Sequence, residues 1–288
     1  MNYILLLISV TAVTMKASVV NNFGKRRMNG MRDMYMFNAM FAFAAIIFIL
    51  IVGGIIKQCS GYTVMTGIIY GLMTMAAEIC SLKAMQYGPM SFAVFLSSCG
   101  MLLPIAYGMI ILREDISSVE LISLAVLFAA IFLVINPKTS GEKAEKWSIY
   151  GLGAMVMVGM VGILQKVHQR SAYKAELILF MAAAFSAYFI ASLVMAVRCK
   201  KDGAGAVFNK SLIGIAVLSG ICCGANNIIN LYLSGIMPAI VFFSIANGGY
   251  ILLATLSARF VFKEKITSAQ TIGIILGIFA LCGLGIYR

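Results

Sequence analysis

Glu78 is the residue of this sequence whose chemistry most needs an explanation, because it stands inside the apolar run 62–86. An ionisable group near the centre of a bilayer costs about 2.5–3.5 kcal/mol even on the lenient insertion scale. Gly67, Gly71, Thr74 and Glu78 fall on one side of a helix, so that run carries a face of small and polar residues with a carboxylate at its end. Such a carboxylate is either a structural acid with a partner or a site for a substrate or proton. Lys83 is no partner within the helix, since five positions place it about 140° away. The counter-charge must come from another helix or from the substrate.

A second run repeats the arrangement. At an offset of 149, Gly71 matches Gly220, Glu78 matches Asn227, Leu82 matches Leu231 and Pro89 matches Pro238, and Gly220, Gly224 and Asn227 again share one side. Small residues four apart let helix backbones approach closely, so Gly71, Gly220 and Gly224 are read first as packing positions, with direct substrate contact as the other reading. A further pair of irregularities sets Ser97, Ser98, Cys99 and Gly100 over Asn247, Gly248, Gly249 and Tyr250, with Pro104 just beyond the first copy. Serine, glycine and proline loosen a helix. Loosened backbone is tolerated at mid-depth only against protein or a water-filled cavity; plain helix packing is the competing reading.

The candidate substrate-binding set is therefore Glu78, Ser97, Ser98, Asn226, Asn227, Asn247 and Tyr250, with Asn38, Asn230 and Gln165 as further neutral groups for the same cavity. With no basic cluster among them, a small neutral, zwitterionic or weakly cationic metabolite fits better than a phosphorylated anion. Lys16 and Lys166 overlay at an offset of 150 near the ends of their runs, where snorkelling to the interface explains them.

The elements that must hold these residues follow from composition. The chain has 288 residues, 62% of them hydrophobic and 11% charged, and a mean hydropathy of +0.99. So little polar surface cannot cover a water-soluble globule. Runs near 2–20, 35–56, 62–86, 90–112, 118–136, 148–165, 176–197, 211–233, 239–262 and 268–287 are long enough to cross a bilayer as helices. Barrel strands would alternate polar and apolar residues, and 40–53 does not alternate. The first run has no basic segment before it and reads as a permanent span rather than a cleaved signal. The expected fold class is all-α, a polytopic membrane protein of ten transmembrane helices.

The ten runs form two sets of five. The stretch from Met90 to Asn136 lies over Ile240 to Ile286 without a gap at an offset of 150, equating Phe92 with Phe242, Glu114 with Glu264, Ser118 with Ser268 and Ala130 with Ala280. Because five is odd, the second copy must cross the membrane in the opposite sense, an inverted repeat of the kind transporters use, with the binding site between the copies. The expected domains are 1–137 and 148–288, each a five-helix repeat, joined by a polar linker at 138–147.

Other classes are weaker. The seven cysteines, Cys59, Cys80, Cys99, Cys199, Cys222, Cys223 and Cys282, lie mostly in apolar runs without a C-x-x-C pair and read as small packing residues. His168 is the one histidine, a poor basis for a metal site, and reads as an interfacial polar residue. Asp33, Asp115 and Asp202 fall in predicted loops. No nucleophile, base or carboxylate pair assembles an enzyme, and neither metal nor cofactor is expected. A net charge of +12 without basic arms reports membrane topology and anionic lipid rather than nucleic acid. A membrane scaffold or assembly subunit, which needs only packing faces, is the alternative function.

The turn Phe262-Lys263-Glu264-Lys265-Ile266-Thr267-Ser268, followed by Gln270, Gly273 and Gly277, resembles the closing motif of EamA-type drug/metabolite transporters. Leu112-Arg113-Glu114-Asp115-Ile116-Ser117 resembles it in the first half, without the Gln and Gly, and the Trp-Gly pair frequent in that family's first helix is missing. The resemblance covers the whole chain through helix number and duplication. It implies a multi-pass cell-membrane transporter of small polar metabolites, working by alternating access across a central cavity, with lipid, a coupling proton and a second copy of the chain as further partners. Basic residues concentrate in the odd-numbered loops, which the positive-inside rule places in the cytoplasm with both termini outside, whereas the resemblance implies termini inside. Under either orientation, reporter fusions at Gly30 and at the C-terminus are expected on opposite faces; the same face for both would overturn the ten-span reading.

Overall fold

The structure, a computed structural model, describes residues 2–27, 30–54, 59–87, 96–134, 142–199, 210–260 and 268–286. Their regular elements are all helical: α1 (Asn2–Arg27), α2 (Met31–Gly53), α3 (Gly61–Tyr87), α4 (Leu96–Ile110), α5 (Ser118–Val134), α6 (Glu142–Arg170), α7 (Leu177–Arg198), α8 (Lys210–Ile236), α9 (Ala239–Phe260) and α10 (Ser268–Ile286). Seven of these, α1 to α3 and α6 to α9, are long and apolar enough to cross a membrane, and α4, α5 and α10 carry shorter apolar stretches. Helices satisfy every interior backbone group within their own segment, which hydrocarbon demands. The chain has the make-up of a membrane protein.

Several boundaries differ from those expected. The helix α6 begins at Glu142, so 142–147 is helical instead of linker; Glu, Lys and Ala there are strong helix formers although none is apolar enough to extend a hydropathy window. The helix α1 also continues to Arg27, well past the end of its apolar run. The weakness expected in both copies occurs in one. In α4 a 3₁₀ turn occupies Cys99–Met101, because Pro104, in the first turn of the α-helix starting at Leu102, cannot donate to the Gly100 carbonyl as an unbroken helix requires. Across Asn247–Tyr250 the helix α9 is continuous, since glycines keep their N–H groups, and the Leu127 and Leu281 side chains pack where a Cβ on Gly248 would stand.

The most extensive helix contacts are kept when each helix of the first five is exchanged with its counterpart in the second five, whereas α9–α10 and α5–α9 have no comparable counterpart among the described residues. The pairs α1–α8 and α6–α3 correspond, as do α2–α8 and α7–α3, and α1–α9 and α6–α4, while α2–α7 and α5–α10 map onto themselves. Glycines set the closest approaches. A Cβ on Gly71 would run into the Ala184 backbone, and one on Gly67 would stand 2.7 Å from the Phe180 carbonyl oxygen. On the other side, Gly220 meets the Phe41 carbonyl and would bring a Cβ within 2.8 Å of Ala44 Cβ, and Gly224 packs on Phe48 and Ala45. Around these crossings Phe41, Tyr70, Phe180, Phe185, Tyr188 and Leu231 form a core between α2, α3, α7 and α8. Asn38, expected at the cavity, lies instead in the α2–α7 contact, where its Oδ1 accepts from Tyr188 OH at 3.1 Å.

Gly71→Leu and Gly220→Leu are each expected to lower stability by roughly 1–3 kcal/mol through overpacking, read as a fall in melting temperature, whereas Gly214→Leu, with nothing within 4 Å of its Cβ position, should melt like the parent. A Gly71→Leu protein with parental melting would contradict the backbone contact.

Candidate functional site

Between the two groups of helices lies a cavity of about 230 Å³, lined from α1, α3, α4, α6, α8 and α9. All seven candidate residues, Glu78, Ser97, Ser98, Asn226, Asn227, Asn247 and Tyr250, reach its wall. They come from four helices distant in sequence, brought together by the glycine crossings that press α3 and α8 onto the opposite half. Gln165 and Asn230 also line it.

The charged feature of the cavity wall is an ion pair. Lys16 Nζ donates to Glu78 Oε2 at 2.6 Å and stands 5.0 Å from the centre of the Phe41 ring. Their side chains are 13% and 18% exposed, so both reach the cavity rather than being sealed in core. Lys16 thus is neither at an interface nor snorkelling: because α1 runs on to Arg27, the residue lies inside the helix, and burial requires the partner that Glu78 supplies. One basic residue, Lys16, thus joins the candidate site, paired with a carboxylate, and no basic cluster forms among the lining residues. Lys83, as its helical angle required, turns elsewhere and donates to Tyr150 OH at 3.0 Å.

A second polar group is made of amides. Ser9 Oγ donates to Asn230 Oδ1 at 2.5 Å, and Asn226 Nδ2 donates to Ser9 Oγ at 2.7 Å and to its carbonyl at 3.0 Å. Tyr70 OH donates to Asn227 Oδ1 at 2.6 Å and accepts from Gln165 Nε2 at 2.9 Å. Asn247 spends its Nδ2 on the Phe243 carbonyl one turn back, and Ser97 lies 3.3 Å from Ser81. The buried Ser98 Oγ has no partner among the described residues. Ser9, Tyr70 and Ser81, which also line the cavity, were not singled out in the sequence because isolated hydroxyls are common in apolar helices, although Ser81 overlays Asn230 at the same offset of 149.

Along α4, α6 and α9 the lining stops at Pro104, Gln165 and Phe242, and a cluster centred on Glu114 begins about one turn further on. Glu114 Oε1 accepts from Lys166 Nζ at 2.8 Å and from Arg170 at 3.2 Å, while Oε2 accepts from the Ala239 N–H at the start of α9. Lys166, fully buried, also donates to the Met237 carbonyl at 2.8 Å. Arg113, at φ +50°, takes the left-handed turn that ends α4 and sends Glu114 back, and a Cβ on Gly108 would stand 2.9 Å from the carboxylate. This cluster ties the α4–α5 connection of one half to α6 and α9 of the other. The snorkelling reading fails for Lys166 too. Glu264, the sequence counterpart of Glu114, lies outside the described residues.

Two polar residues also sit elsewhere than expected. His168 is fully buried, with Nε2 3.4 Å from Thr63 Oγ1 and its ring against Phe180, because α6 continues beyond its apolar run and packs on α3. Asp33 is buried in the first turn of α2. No group of three potential metal ligands occurs among the described residues, and the seven cysteines are free.

No known protein-family profile matches the sequence. Among curated proteins the chain is similar to an uncharacterized protein of Haemophilus influenzae, 25% identical over 222 residues that cover 73% of this chain and 72% of that protein. A solved structure described only as the crystal structure of a protein shares the fold across 99% of each chain, with a TM-score of 0.66 at 12% identity.

Burial pushes the Glu114 carboxyl up, but the hydrogen bonds from Lys166, Ala239 and Arg170 and the charge of Lys166 outweigh it and hold the group below its ordinary range. A depressed carboxyl stabilises the fold above its unfolded pKa, and that contribution is lost as pH falls through the folded value. Glu114→Gln, which strands a buried lysine, is expected to lower stability by about 3 kcal/mol at neutral pH, with the gap to the parent narrowing towards acid pH in melting curves. A gap that stays constant with pH would show that the charge of Glu114 is not what matters.

Proposed function

We propose that the chain is a transporter of a small polar metabolite, working by alternating access across the cavity between two inverted five-helix repeats, as in the EamA-type drug/metabolite transporters it resembles. The observation that carries the reading is the cavity: an ion pair and an amide cluster face the same space, and its lining comes from both halves. Polar groups of that kind inside an apolar bundle mark a solute path more often than a packing core. A scaffold would have no use for them. The exchange symmetry of the helix contacts supports the repeat, and five helices per repeat give the inversion. In this reading the ten helices all cross the cell membrane.

Glu78 is the group through which a proton gradient would act. Its carboxylate is reachable from the cavity and paired with Lys16. Asn247, whose amide bonds only its own helix, contributes to recognition with little structural role.

Purified protein in liposomes is expected to move at least one solute from a panel of amino acids, nucleosides, sugars, amines and vitamins. Asn247→Leu should raise the KM about tenfold, the equivalent of one lost hydrogen bond of about 1.4 kcal/mol, with melting unchanged. Glu78→Gln should abolish the pH dependence of flux; a variant with the parental rate and pH profile would make Glu78 structural. No flux of any solute under any gradient would favour the scaffold.

A further inference from the structure

We infer that the ligand of this cavity is a small zwitterion, one that carries an ammonium and a carboxylate as close together as an α-amino acid does and inserts them between Lys16 and Glu78. The inference rests on the proposed transport site but concerns its chemistry. Lys16 and Glu78 are the two charged residues among the lining residues described, and they are paired with each other at 2.6 Å. The site is therefore neutral when empty of ligand, and each candidate ligand can be judged by what it leaves behind.

A simple cation drawn to Glu78 would displace Lys16 and leave that ammonium unpaired in a medium of low dielectric. A simple anion drawn to Lys16 would strand Glu78 in the same way, and removing one partner of a buried pair is strongly unfavourable. An uncharged solute has nothing to offer that would open the pair. A zwitterion exchanges one ion pair for two, with its ammonium on Glu78 and its carboxylate on Lys16, and the cavity stays neutral throughout. Partial exposure of both side chains to the cavity gives the ligand access, and the Phe41 ring beside Lys16 keeps the ammonium from being bare while the pair is open.

The rest of the cavity fits a body attached to that head. Ser9 and Lys16 are seven residues apart on α1, which places them on the same face about 10 Å apart along the axis, so the amide cluster around Ser9 lies at the far end from the ion pair. Val13 stands between them on α1, and Val161 and Phe243 also line the cavity, apolar surface for a side group. The volume, about 230 Å³, lies below the roughly 300–1,000 Å³ of drug-sized pockets, which limits the ligand to a compact metabolite.

The test is a thermal-shift comparison of matched triads on the purified full-length protein: leucine with isopentylamine and 4-methylpentanoate, phenylalanine with phenethylamine and 3-phenylpropanoate, and glucose and uridine as uncharged solutes. The expected result is a rise in melting temperature with at least one zwitterion that exceeds the rise with both of its single-charge counterparts, and its loss in the Lys16→Gln/Glu78→Gln double variant, which keeps the volume of the pair without its charges. Should that variant not purify, Lys16→Met with Glu78→Leu serves, an apolar exchange that buried pairs often tolerate. A larger shift with an amine, an acid or an uncharged solute, no shift with either zwitterion, or a zwitterion shift that survives in the double variant would each overturn the inference. Zwitterion binding with no flux in liposomes would leave the inference standing and remove transport; flux of an uncharged solute with no zwitterion binding would do the reverse.

Discussion

Two backbone-to-backbone contacts hold this protein in shape: Gly71 against Ala184, and Gly220 against Phe41. Each draws a helix of one half onto a helix of the other, α3 onto α7 and α8 onto α2. No side chain larger than hydrogen fits at either crossing. With those four helices clasped around a core of aromatic residues, the remaining cavity-lining helices, α1 and α4 from one half and α6 and α9 from the other, are left to enclose a space instead of closing on themselves. The cavity is thus a consequence of where close packing is spent.

Inside that frame, charge placement follows from the scarcity of water. Lys16 and Lys166 occupy equivalent positions in the sequence overlay, yet they meet different carboxylates. Lys166 is sealed against Glu114, the Met237 carbonyl and the start of α9, whereas Lys16 faces the cavity with Glu78. The two sets of five helices are furnished differently. The first half carries the acid at Glu78 where the second has the amide of Asn227, and the first half has the 3₁₀ turn where the second is continuous α-helix.

The helical fold was legible in the sequence, and so were seven residues that the structure brings to one cavity, for separate reasons. Spans are set by apolar length, and helices α2, α3, α7 and α9 lie within a few residues of their runs. Hydropathy cannot see where a helix continues through polar residues, so the ends of α1 and α6 were drawn short, and Lys16, Lys166 and His168 were read as interfacial when each is inside a packed helix. Glu78 with Asn227 and Ser97 with Asn247 were singled out by their matching positions in the sequence overlay, and all four line the cavity. Ser9 has no polar counterpart in the overlay, and the three-dimensional arrangement brings it to the cavity with Tyr70 and Ser81. The pairing of Glu78 with Lys16 required knowing that α1 packs beside α8 and reaches α3, which no periodicity encodes.

The central claim is that the space between the halves communicates in turn with both sides of the membrane. Its most direct test is the accessibility of a single cysteine at position 247, introduced as Asn247→Cys after the native cysteines have been replaced, to a membrane-impermeant thiol reagent in sealed right-side-out and inside-out vesicles. Labelling from both sides, slowed by a transported solute on each, is the result the account predicts. Labelling from one side alone, or from neither, would contradict it.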